Sequence, residues 1–119
     1  VSAGARISAG GRLMNLHELA EERSLALHEE VARRLRDNPA LLRVARARVE
    51  DWLRKGSVHS EYGRAWREIL CGSVEEIGAH LRDRSERARA LRQVSPFAGV
   101  VSARRRWEIW REVRERMAS

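Results

Sequence analysis

Threonine is missing from this sequence, lysine occurs once (Lys55), cysteine once (Cys71) and proline twice (Pro39 and Pro96). Each shortage excludes something. A single cysteine leaves no internal disulfide and no cysteine-based zinc site. Flanked by Ile69, Leu70 and Gly72, Cys71 reads as a buried structural thiol. The scarcity of β-branched residues argues against an extended sheet. No stretch approaches the roughly 18 consecutive apolar residues of a membrane span. The opening VSAGARISAGGRL is rich in small residues but lacks the apolar core of a secretory signal. These absences predict a cytoplasmic protein, with no membrane partner. Val1 fits a non-standard start codon, and Met14 reads as an alternative start, because the patterned sequence begins directly after it.

What the chain does have is charge and helical period. Its 119 residues are of single-domain length. Basic groups exceed acidic ones by 24 to 17, a net +7. The excess is uneven: residues 82–119 hold eleven Arg against five acids, or +6, while residues 1–81 hold 13 basic groups against 12 acids, or +1. The basic character therefore belongs to the C-terminal third, where it bears on partners rather than on fold. Every basic residue but Lys55 is arginine. Arginine suits planar, two-pronged contact with carboxylate or phosphate, although a GC-rich genome would produce the same bias.

Residues 1–14 show no period and are expected to form a flexible N-terminal tail. Asn15 with Glu18 then makes a capping-box pattern, and Leu16, Leu19, Ala20, Leu27, Val31 and Leu35 recur at helical spacing, predicting a helix over 16–36. Asn38 as cap and Pro39 at the first helical position open a second helix. Its stripe is Leu42, Ala45, Val49, Trp52 and Leu53, and Gly56 stops it. A third helix over about 60–71 carries Tyr62, Ala65, Trp66, Ile69 and Leu70. Ser73 with Glu76 forms a second capping box before Val74, Ile77 and Leu81, and Ser85 caps a piece over 86–93 with Ala88 and Leu91. After the break Ser95-Pro96-Phe97-Ala98-Gly99, Ser102 caps a last helix over 103–117, with Trp107, Trp110, Val113 and Met117 on one stripe. The prediction is an all-α single small domain of five or six helices: tail 1–14, helical core 15–93, and a Pro/Gly loop with an Arg/Trp helix over 94–119.

Little in this pattern suggests an enzyme. His17 and His28 share a helix, but eleven residues at 1.5 Å each separate them by roughly 16 Å, too far for one metal. His59 and His80 lack the spacing of a helical metal site, so the histidines read as surface or half-buried and no metal is expected. The acids come as neighbours, Glu21-Glu22, Glu29-Glu30, Glu50-Asp51 and Glu75-Glu76. Adjacent helical positions do not face one another, so none is a ready acid/base pair. No nucleophile elbow or phosphate-binding glycine loop occurs. Neither a catalytic residue nor a cofactor is predicted.

The C-terminal third admits a binding role instead. Its charge would favour phosphate neutralisation. Yet Arg104, Arg105 and Arg106 point around a helix at about 100° intervals, and Arg111 and Arg114 can pair with Glu108 and Glu115. No helix-turn-helix signature accompanies them. Of the six aromatic residues, Phe97, Trp107 and Trp110 fall here, whereas Trp52, Tyr62 and Trp66 suit a core between the second and third helices. Tryptophan and arginine anchors dominate protein interfaces. The same two tryptophans could also simply dock the last helix on its own domain.

The segments ERSLALHEEVARRL (22–35), RARVEDWL (46–53) and RARALRQVSPFAGVVSARRRWEIWREVRER (87–116) resemble a family of small bacterial proteins encoded beside nucleotidyltransferase-like toxins of the AbiEii or MenT group. The likeness spans about 16–117 and is most specific at Ser95–Gly99 and at Arg106–Arg111; Ala103 stands where the family places a proline. The resemblance implies an antitoxin, a non-enzymatic partner that binds and neutralises the toxin by covering its active-site region. The toxins of the group act on tRNA and hold nucleotide phosphates through metal-binding acidic residues. The candidate partner-binding residues are Phe97, Arg104, Arg105, Trp107, Trp110 and Arg111. The competing expectation is a small basic nucleic-acid-binding protein regulating its own operon, and a weaker one is an accessory subunit that modifies its partner covalently.

Overall fold

A computed structural model describes the backbone of residues 6–9 and 12–118, with side chains from residue 15 onward. The body is all-α, as expected. Its six helices are α1 (Leu16–Asp37), α2 (Leu41–Lys55), α3 (Ser60–Ile69), α4 (Val74–Arg82), α5 (Glu86–Arg92) and α6 (Ala103–Ala118). Within the segment expected as a tail, β1 (Arg6–Ala9) pairs antiparallel with β2 (Arg12–Asn15), in the register Arg6↔Asn15 to Ala9↔Arg12. What the sequence predicts for residues 1–5, 10, 11 and 119 lies outside the described residues.

Most helix ends follow local chemistry. Asn15 Oδ1 accepts from the backbone N–H groups of His17 and Glu18. Ser73 and Glu76 complete a reciprocal capping box, Ser85 Oγ accepts from Ala88 N–H, and Ser102 Oγ accepts from Arg105 N–H. Gly56 closes α2 at φ +69°, where a side chain would be strained. The start of α2 departs from expectation. Asn38 ends α1, its N–H donating to the Arg34 carbonyl, and residues 38–40 form a turn before α2 begins at Leu41. The proline therefore shapes the turn rather than the first helical residue.

α1 is the spine, with α4, α5, α6 and β2 packed on it and α2 paired with α3. One core joins Val31 and Leu35 of α1, Val49 of α2, Trp66 of α3, Ile77 and Leu81 of α4, and Val113 of α6. Trp66 ties three parts together: its indole N–H donates to the Leu91 carbonyl at 3.1 Å, and its ring meets Phe97 edge-on at 6.1 Å. Trp52 and Tyr62 are only half-buried. Cys71, expected inside, is exposed at the turn between α3 and α4.

Candidate interaction site around the last helix

The loop from Val94 to Ser102 is held from both sides. Arg48 Nη1 donates to the carbonyls of Pro96 (3.3 Å) and Ala98 (2.6 Å). His28, 3% exposed, reaches it from α1. Its Nδ1 lies 2.7 Å from the Ser24 carbonyl, which can only accept, so Nδ1 carries the proton. Nε2 is then an acceptor and takes the Ser95 hydroxyl proton at 2.8 Å, while Ser95 Oγ accepts from Phe97 N–H at 3.1 Å. Burial drives the imidazole pKa down, the Ser24 bond opposes the fall and the Arg92 charge adds to it, leaving it lowered from 6.5 to about 4. His28 is thus a neutral, fully bonded core histidine, not the surface or half-buried one expected. Gly99, at φ +90°, lets the loop turn towards α6.

α6 packs on α1 through Ile109, Val113 and Met117, spaced four residues apart. Val113 and Met117 belong to this stripe as expected, but the tryptophans lie to one side of it and Ile109 takes their place. A cluster of charges fixes the helix laterally. Arg105 reaches Glu30 of α1 as well as Glu108 and Glu112 of its own helix. Burial alone would raise the Glu30 carboxyl, but hydrogen bonds from Arg33, Arg105 and Arg34 prevail and hold it at about 2. Near the other end, Arg116 and Arg84 both contact Glu22.

The six residues named as partner-binding candidates therefore separate. Phe97 is 4% exposed and packed on Trp66, a core position rather than the exposed one expected, and leaves little surface for a protein partner. Arg105 is engaged within the fold. Arg104, Trp107 and Arg111, at i, i+3 and i+7, share the outward ridge of α6. Trp107 is 59% exposed, and the Arg111 guanidinium lies over its ring at 5.0 Å. Trp110, one turn on from Trp107, lies between this ridge and the buried stripe, 37% exposed, beneath the guanidinium of Arg23 at 5.4 Å.

Trp110 borders a groove of ≈ 460 Å³ between α1, the loop and the start of α6. Leu27, Val31, Phe97 and Val101 give it apolar walls, and Arg23, Arg92 and Arg106 bring charge. Nothing local in the sequence distinguishes Arg23, Arg92 and Arg106 from the other arginines. Among the described residues no three His, Cys, Asp or Glu side chains gather into a possible metal site, and no helix is long and apolar enough to cross a membrane. No family model matches the chain, and no curated protein or solved structure matches it.

Proposed function

We propose that this is a non-enzymatic cytoplasmic binding protein that neutralises a nucleotidyltransferase-like toxin by laying the α6 ridge against the acidic surface of its active-site region. The observation that supports the reading is the Trp107–Arg111 stack. A large indole left open to water, under a guanidinium and beside the 92%-exposed side chain of Arg104, offers area and charge on a helix already fixed from behind. Such pairs are the side chains that anchor interfaces. A catalytic surface built to hold metal and nucleotide is acidic, and arginine meets carboxylates in a two-pronged fashion. The identity of the partner rests on the resemblance described above.

The test is coexpression with a nucleotidyltransferase toxin of that group encoded beside the gene. The wild-type chain should restore growth, and Trp107→Ala combined with Arg111→Ala should abolish rescue, weakening binding by about 2 kcal/mol or more. Full rescue by the double variant would remove the ridge from the mechanism. A nucleic-acid reading also draws on this ridge, where Arg104, Arg111 and Arg114 are exposed. Tight binding of the isolated chain to its own promoter DNA at physiological salt would favour that reading, because nonspecific phosphate contact alone falls steeply with salt.

A further inference from the structure

The groove beside Trp110 has a chemistry of its own, distinct from that of the ridge. Its volume of ≈ 460 Å³ lies in the range of small-molecule sites. Its charged side chains are all cationic: Arg23, Arg92 and Arg106 line it, and no Asp or Glu does. This is unusual for the chain, in which arginines such as Arg34, Arg67, Arg84 and Arg105 meet carboxylates. His28 also lines the groove but contributes neither charge nor a free nitrogen, both ring nitrogens being bonded.

Hydrogen-bond accounting points to the same place. Among the described residues, the buried side-chain polar atoms without a partner are Arg23 Nε and Arg92 Nε. Both residues line this groove, although Arg92 also reaches two smaller cavities. Arg92 is 6% exposed; its Nη1 donates to the Leu81 and Asp83 carbonyls, and its Nε donates to nothing. Buried donors are nearly always satisfied, so two orphans around one cavity call for an acceptor inside it. Water entering the open groove satisfies these donors but leaves Leu27, Val31, Phe97 and Val101 wet, whereas an amphipathic anion serves both. A nucleotide would need polar partners for its base edges, and the uncharged polar side chains here are Ser24, Gln93 and Ser95, with the Ser95 hydroxyl already engaged.

We infer that this groove binds an amphipathic carboxylate, its apolar chain against Phe97 and Val101 and its head group among Arg23, Arg92 and Arg106. The apolar part loses water contact, and the carboxylate supplies the acceptors that the arginines lack. The inference is independent of the toxin reading, which uses Arg104, Trp107 and Arg111, none of which lines the groove, so either can fail alone.

Isothermal titration calorimetry on the full chain with sodium decanoate, 1-decanol and decyltrimethylammonium tests it. Decanoate should bind at a single site, about ten-fold or more tighter than decanol, the factor expected for hydrogen bonds to a charged group. The cationic amphiphile should not bind. Arg23→Gln, which keeps much of the aliphatic stem, should weaken decanoate by about ten-fold. Ala20→Trp should block the groove, because Ala20 lines it from an exposed position on α1 that tolerates a large side chain. Arg104→Gln, on the ridge, should leave binding unchanged, and circular dichroism confirms that each variant is folded. Equal binding of decanoate and decanol, equal losses for Arg23→Gln and Arg104→Gln, or no decanoate binding at millimolar concentration would each overturn the inference.

Discussion

Lowering the pH from 7.5 to 4.5 should destabilise this protein chiefly through one side chain, His28. In the unfolded chain its imidazole titrates at an ordinary 6.5, while in the fold it titrates at about 4. The folded value is the lower, so below pH 6.5 the unfolded state binds the additional proton. Stability is therefore complete above about 6.5 and drains away as the pH falls towards 4. At about 1.4 kcal/mol per pH unit the full effect is about 3 kcal/mol, and about 2.5 kcal/mol of it falls between pH 7.5 and 4.5. The other described histidines, His17, His59 and His80, are exposed. Glu30, whose carboxyl is lowered to about 2, loses its stabilising contacts only below 4.5, so its effect lies outside the window. Urea unfolding followed at 222 nm at both pH values gives the free energies directly. The same measurement on His28→Gln, which cannot titrate, should give a drop smaller by about 2 kcal/mol. Parallel pH profiles for wild type and variant would refute the buried, neutral assignment, and with it the hydrogen-bond chain from Ser24 through His28 to the loop.

The separation of the aromatic residues can be checked by stability alone. Phe97→Ala should cost about 3–5 kcal/mol, as expected for a buried aromatic in contact with another ring. Trp107→Ala should change stability by no more than about 0.5 kcal/mol; comparable losses in urea unfolding would show that both rings are core. Gly56→Ala places a side chain at φ +69°, with space around it but an unfavourable backbone. It should cost about 1 kcal/mol and lower the melting temperature, and an unchanged melting temperature would mean that α2 ends differently.

Features written within four residues were legible in the sequence. Ser73 with Glu76, Ser85, Ser102 and Gly56 mark helix ends because a cap needs only its own turn, and all four act as read. The inward face of α6 was ambiguous on spacing alone. Trp107, Trp110, Val113 and Met117 fit a helical stripe, and so do Ile109, Val113 and Met117. Packing against α1 decides between them, and that information is not local. His28 is more remote still, because its Nε2 is bonded to Ser95, 67 residues away.

The charge distribution needs the same distinction between what is near in sequence and what is near in space. The +6 of residues 82–119 looks like an unopposed basic surface. In the fold, Arg84 and Arg116 meet Glu22, Arg89 meets Glu21 and Arg105 meets Glu30, all acids of α1. Much of the C-terminal excess is thus answered by the first helix, and it serves to fasten α5 and α6 to the spine. The run Arg104-Arg105-Arg106 divides three ways within a single turn: Arg104 faces water, Arg105 grips Glu30, and Arg106 donates to the Val101 carbonyl at the groove. A count of arginines in this segment therefore overstates the charge available to a partner. Part of what remains lies along the outward ridge of α6, where Arg104, Arg111 and Arg114 surround Trp107. A binding partner of the ridge would have to match Arg104, Arg111 and Arg114 in particular, because Arg105 and Arg116 are already committed to acids of α1.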